Sequence, residues 1–265
     1  MPINFPLLAT SLVLSLTSLN AQAGLSAYVS DKQNVVYDNV TNITWTADAN
    51  LLATLENTQG YNTVVQAIIA NDPYIHETPN FFDNAGPGVY KLSSTDFNAG
   101  GKVDWWGAQA FISYLNSLNN GAGYAGSNHW ALPSTPNSDA SFGYNLSNSQ
   151  LGELYYNELH GLAYVGHPTD YGILHDASYA NSGSTGPFVN AESFYYWSGT
   201  EYAPAFSFYF STYHGDQNYH LKQYMYDVWA VSPGQISAVP ELSEFGMLIS
   251  GLLALLGLKR RGMLG

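Results

Sequence analysis

The chain has 265 residues, of which 46% are hydrophobic and only 10% are charged, and it contains no cysteine. The hydrophobic content is sufficient for a folded core, and the lack of cysteine excludes disulfides, zinc–thiolate sites and a cysteine nucleophile. Between residues 24 and 238, four lysines stand against 18 acidic residues, which gives a formal charge of −14. Because such a surface repels phosphate backbones, nucleic acid is not an expected partner.

Residues 1–23 have the pattern of a secretory signal peptide. The apolar run over 5–19 is too short to span a bilayer comfortably. Ala21 and Ala23 supply the small-x-small pattern that signal peptidase requires. Cleavage after Ala23 and export of the chain are therefore predicted. The alternative is a buried hydrophobic helix, since the first residues contain no Lys or Arg.

The first half of the body, residues 24–238, is predicted to contain a hairpin and two helices. Alternating residues over 25–46 favour a β-hairpin. The segment 62–70 favours a helix with Asn62 or Thr63 as its cap, where Gln66 would complete a capping box with Thr63. The segment 72–104 is rich in Pro, Gly, Asp and Asn, which is typical of a long loop. Apolar residues at helical spacing then predict a helix over 104–118, capped by Asp104 and ended by Asn119-Asn120-Gly121.

The second half of the body is predicted to end in strands. A second main helix is expected over 148–160, with a Ser147–Gln150 capping box, and 161–193 is expected to be loop. Strands are predicted over 194–200, 206–212 and 228–231. Helices followed by an antiparallel meander indicate an α+β fold.

The last segment, residues 239–265, has three parts. It consists of a polar lead with Pro240 and Glu241, an uncharged apolar stretch over 245–258, and the basic residues Lys259, Arg260 and Arg261. The apolar stretch predicts a membrane helix, and the basic end is expected to stay cytoplasmic, which leaves the body outside.

The order of these parts resembles the PEP-CTERM protein-sorting signal, with Leu242 in place of the second proline. The resemblance implies recognition and cleavage by an exosortase in bacteria that make exopolysaccharide. A plain C-terminal anchor is the alternative. In both cases the body is expected in the cell envelope or outside the cell.

Four landmarks of the body also resemble a known family. They are Ile43-Thr44-Trp45, the helix that starts at Trp106, His129-Trp130-Ala131-Leu132-Pro133-Ser134, and Tyr196-Trp197-Ser198-Gly199-Thr200. Their order is similar to that of the Lcl C-terminal domain family, a bacterial domain of unknown function. The resemblance implies a C-type-lectin-like fold that binds a ligand on an exposed loop face. Ala131 and Trp229 stand where that family usually has arginine.

Aromatic residues, 15% of the chain, are the main candidates for ligand binding. Sugar C–H groups stack on flat aromatic faces while amides and carboxylates bind the hydroxyls. Trp105, on the polar side of its helix, and Tyr202, in an expected loop, are predicted to be exposed. His214, Asp216 and Asn218 are predicted to lie at a hairpin tip that could bind a ligand, although a plain hairpin turn is the favoured interpretation of this segment.

Calcium is the one cofactor that the sequence leaves open. Asp96, Asn98 and Asp104 offer oxygen ligands, but the spacing does not satisfy an EF-hand. No metal-ligand, nucleotide-binding or serine-hydrolase motif occurs.

These observations predict a non-catalytic surface or matrix protein that binds carbohydrate or exopolysaccharide. A structural envelope protein that binds another protein is the first alternative. An extracellular hydrolase is the second, and it has no motif in its favour.

Overall fold

The computed structural model describes residues 24–138, 141–173 and 185–237. The predicted signal peptide and the predicted tail, including the membrane helix over 245–258, therefore lie outside the described residues. The described strands are β1 Leu25–Ser30, β2 Gln33–Asp38, β3 Ile43–Thr46, β4 Tyr74–His76, β5 Val89–Lys91, β6 Phe97–Asn98, β7 Lys102–Val103, β8 Gly143–Tyr144, β9 Tyr195–Ala203, β10 Phe206–Ser211, β11 Asp216–Leu221 and β12 Val231–Pro233. The described α-helices are α1 Leu51–Gln59, α2 Tyr61–Asn71, α3 Trp105–Gly121 and α4 Gln150–Glu153.

The first sheet is antiparallel, with the strand order β1-β2-β3-β12. The predicted hairpin is confirmed and extends into this sheet. Asp31 and Lys32 make its first turn with positive φ. The Asp38 carboxylate makes the second turn, where it accepts hydrogen bonds from the amides of Val40 and Thr41. The closing strand begins at Val231, so the prediction of a strand over 228–231 was wrong except at its last residue.

The second sheet is also antiparallel, with the order β8-β11-β10-β9. The predicted strands over 194–200 and 206–212 correspond to β9 and β10. The predicted tip at Asp216 and Asn218 was wrong, because both residues lie inside β11. Pairing with β10 along five residues stabilises β11 as a strand in spite of its turn-prone composition.

The helices confirm part of the predicted pattern. α3 begins after Asp104, whose carboxylate accepts the Gly107 amide, and Asn119 and Asn120 leave helical geometry where an end was predicted. α2 begins after Gly60 with no side-chain cap, so the predicted cap at Asn62 or Thr63 was wrong.

Three further regions differ from the sequence prediction. α1 was not predicted. The predicted helix over 148–160 is a single α-turn capped by Ser149, not Ser147, followed by a π-helical turn over Leu154–Glu158. The segment 72–104, predicted as a loop, contains the short strands β4 to β7.

Two hydrophobic clusters form the core. One joins α1, α2 and α3 to Trp197, Val228 and Ala230. The other lies between the first sheet, the α4 turn and Phe210. Tyr196, Trp197 and Trp106 are fully buried.

The described chain is thus α+β, with antiparallel sheets, as predicted. Among the residues that the structure describes, no helix has the length and apolarity to cross a bilayer.

Candidate functional site

A groove of about 520 Å³ runs between β4 and the surface of α3. Its main lining residues are Asp72, Tyr74, His76, Trp105, Gln109 and Asn116. The α3 helix buries Ala108, Phe111 and Leu115 in the core. Its polar residues at i, i+4 and i+7, starting from Gln109, share a face. This polar face forms one wall of the groove.

The β4 strand forms the opposite wall through its alternation. Ile75 points into the core and is 6% exposed, whereas Tyr74 is 44% exposed. His76, two residues after Tyr74, lies on the same face of the strand and is also exposed. Because side chains along a strand alternate between its two faces, the Tyr74 ring and the His76 imidazole lie together on the groove side.

Trp105 lies at the base of the groove and is almost fully buried. It is 4% exposed, and its indole N–H donates to the Ser198 carbonyl at 2.9 Å. The Lys222 ammonium lies 4.2 Å from the centre of its ring. The prediction of an exposed Trp105 was therefore wrong, because contacts with distant strands cover the polar side of its helix. Trp105 is nevertheless one of the groove-lining residues.

A buried ion network fixes the β4 wall to the second sheet. Lys222 follows β11, is fully buried, and bonds the carboxylate of Glu77, which directly follows β4. The same ammonium bonds Glu201 of β9 at 2.7 Å. Because a buried ammonium is costly unless paired, Lys222 and its two carboxylates hold these three strands in one arrangement.

The polar groups of the groove fall into two kinds. Asn116 is fixed, because its amide group accepts from the Trp130 amide at 2.7 Å and donates to the Trp130 carbonyl at 2.9 Å. The side chains of Asp72, His76 and Gln109, in contrast, make no hydrogen bond to any residue in the described part of the chain. The groove thus offers donors and acceptors that can bind a ligand, beside the exposed Tyr74 ring.

A second surface contains three of the predicted site residues. Asp216 and Asn218 lie on the same face of β11, and His214 precedes that strand. The His214 Nδ1 atom is 4.0 Å from the Asp216 carboxylate, and burial raises the pKa of Asp216 above its usual range. Tyr195 of β9 and Tyr209 of β10 lie beside them, with ring centres 5.1 Å apart.

Tyr202 belongs to neither surface. It lies in β9, not in a loop, and it is half-buried. Its ring stacks on Tyr219 with centres 4.0 Å apart and contacts the edge of Phe142. The prediction of an exposed loop residue was wrong because β9 continues to Ala203.

The predicted calcium ligands have structural partners. Asp96 accepts hydrogen bonds from the Ser93 amide and the Tyr90 hydroxyl, and Asp104 caps α3. Both carboxylates are buried, and burial together with the Asp96 charge raises the pKa of Asp104 well above its usual range. Asn98 is exposed. The arrangement therefore favours capping roles, with Asp96 at the Ser94–Asp96 turn and Asp104 at α3, over a cation site.

A different group of acids comes together elsewhere. Oxygen atoms of Asp38, Glu153 and Glu158 lie within 4.8 Å of one another. The Asp38 oxygens already accept hydrogen bonds from Val40 and Thr41. The Asp38 carboxylate thus already has partners within its own turn.

Comparisons with models of protein families, with curated proteins and with solved structures give no match for this chain. The groove is therefore identified as a candidate site from its geometry alone. Sequence reasoning missed Tyr74, His76 and Gln109. The Tyr-Ile-His alternation and the polar positions at i, i+4 and i+7 counted from Gln109 were the available signals.

Proposed function

We propose that this chain is an exported, non-catalytic protein that binds a neutral carbohydrate, such as a segment of exopolysaccharide, in the groove between β4 and α3. The observation that carries the proposal is that the exposed Tyr74 ring and the free polar side chain of Gln109 line the same groove of about 520 Å³. Aromatic faces stack on sugar C–H groups, and amides bind the hydroxyls.

The charge of the body supports a neutral ligand. The four lysines of residues 24–238 include Lys102 and Lys222, which already pair with carboxylates of the chain itself. Asp72 in the groove adds a further negative charge. An anionic polysaccharide would therefore meet repulsion at this groove.

The terminal segments support export and sorting. The signal-peptide pattern of residues 1–23 and the resemblance of 239–265 to a PEP-CTERM signal favour processing by signal peptidase and an exosortase. An association with exopolysaccharide fits that sorting route. The resemblance to the lectin-like Lcl C-terminal domain adds to the same proposal, since the described body is α+β with a late antiparallel sheet.

The test is binding of the purified chain to a glycan array, followed by calorimetry with the best neutral oligosaccharide. Gln109→Ala is expected to weaken affinity about fivefold, the loss of one hydrogen bond of about 1 kcal/mol. Gln66→Ala is the matched control, because Gln66 is an exposed helical glutamine of α2 that does not line the groove.

Three outcomes would contradict the proposal. Equal affinity of the two glutamine variants would place the glycan elsewhere on the chain. No glycan binding by protein shown to be folded would instead favour the alternative of an envelope protein whose partner is another protein. Turnover of a bound glycan would indicate a hydrolase.

A further inference from the structure

A cross-strand row of side chains places one carboxylate between two tyrosines. Asp216 of β11 pairs with Tyr144 of β8, and Ser211 of β10 pairs with Tyr195 of β9. Since Phe210 pairs with Gln217, Ser211 is the next neighbour of Asp216 on the other side. Residues opposite each other in antiparallel strands share a face. Tyr144, Asp216, Ser211 and Tyr195 therefore form one row, which we name the tyrosine row.

A third tyrosine encloses the carboxylate of the row. The Tyr209 hydroxyl lies 3.4 Å from an Asp216 oxygen. The Tyr209 ring is nearly perpendicular to that of Tyr195, at 74°, with centres 5.1 Å apart. Tyr144, Tyr195 and Tyr209 are only partly buried, so a small ligand can reach the rings. Asp216 thus lies among aromatic groups that offer faces and edges at several angles.

The chain binds its own ammonium groups with the same two components. Lys102 pairs with Asp227 at 2.9 Å and lies 4.3 Å from the centre of the Phe194 ring. Lys222 pairs with Glu77 and lies 4.2 Å from the centre of the Trp105 ring. In both places a carboxylate neutralises the charge and an aromatic face attracts the cation.

The tyrosine row has the carboxylate and the rings without a lysine. Among the described residues, no lysine or arginine lies within ion-pair distance of Asp216, and its one basic neighbour is His214 at 4.0 Å. The Asp216 side chain is 14% exposed. A partly buried charge with no lysine partner is stabilised by a cation from outside.

We propose that the tyrosine row binds an alkylammonium group carried by a ligand. Calcium fits less well, because it requires six to eight oxygen ligands. The Asn218 side-chain oxygen beside the row already accepts the Tyr219 amide. The site is separate from the carbohydrate groove, and this inference does not depend on the function proposed above.

The experiment measures binding of choline to the full chain by nuclear magnetic resonance titration. Its neutral isostere, 3,3-dimethyl-1-butanol, is titrated in parallel. Choline is expected to bind at least about tenfold more tightly, because only the charged ligand gains the ion pair and the cation–π contact. Equal affinity for the two ligands would overturn the proposal. Nα-acetyl-lysine and glucosamine as further probes distinguish a polypeptide source of the ammonium group from a sugar source.

Variants test the two components separately. Asp216→Asn keeps the shape of the side chain and is expected to lower choline affinity about tenfold. Asp31→Asn is the matched control, since it removes the same charge from a turn with φ of 44° that asparagine adopts readily. Tyr144→Phe is expected to retain binding and Tyr144→Leu to lose most of it. An Asp216→Asn variant that binds choline as well as Asp31→Asn does would overturn the proposal.

Discussion

The groove and the tyrosine row are built in different ways. The groove is a tertiary contact between α3 and β4, which the fully buried Lys222 ties to the second sheet through Glu77 and Glu201. The tyrosine row is a product of strand register, since the backbone pairs of β8 to β11 alone align its residues. The connection of the β4 wall to the second sheet therefore depends on one ion network, whereas the row depends on the backbone hydrogen bonds of several strand pairs.

The largest expected effect comes from Lys222→Met, which breaks this network. The variant leaves the Glu77 carboxylate buried without its cation, and we expect a loss of about 3 kcal/mol in the free energy of unfolding. Glycan affinity is expected to fall as the β4 wall detaches, while choline binding at the row is retained in molecules that stay folded. Denaturant titration and both binding assays measure the result.

Lys91→Met is the control for that substitution. Lys91 is exposed at the end of β5, so its replacement is expected to change the free energy of unfolding by less than about 0.5 kcal/mol. Equal effects of the two lysine variants would show that the buried network does not determine the groove.

An effect of similar size is expected from pH, and it belongs to the sheet that carries the row. Burial raises the pKa of Asp227, which pairs with Tyr196 of β9, to about 6 despite the hydrogen bonds from Lys102. The folded state therefore binds a proton more tightly than the unfolded state, whose pKa lies near the ordinary value of 3.8. Stability is expected to fall by up to about 3 kcal/mol as the pH rises from about 4 through 6.

Asp227→Asn sharpens this expectation. The variant removes the titrating group, so the slope of stability against pH is expected to become shallower in that interval, as followed by thermal unfolding at a series of pH values. An unchanged slope would assign the dependence to other buried acids, such as Asp104 or Asp216, whose pKa values are also raised.

The smallest expected effect concerns ligand contact alone. Tyr74→Ala removes a ring that is 44% exposed, and glycan affinity is expected to fall up to about tenfold with little change in stability. Tyr74→Phe keeps the ring and is expected to retain most of the affinity. Calorimetry compares the two, and a glycan affinity that survives in Tyr74→Ala would exclude this wall as a stacking surface.

The two surfaces also differ in how far they follow from the sequence. Asp216 and Asn218 were identified as candidates although their strand was mistaken for a turn. Turn-prone residues in β11 hide a strand that only its pairing with β10 reveals. Of the groove residues, the sequence identified only Trp105 as a candidate. Tyr74 lies on β4 and Gln109 on α3, and no local sequence pattern shows that these two elements come together.

The sequence by itself determined the features that depend on local periodicity and capping. These include α3 with its Asp104 cap, the first hairpin and the α+β class. Only the tertiary structure decided that Trp105 is covered and that Lys222 meets Glu77. The reason is physical: helical and strand periods act over a few residues, whereas the burial of a side chain is decided by strands far away along the chain.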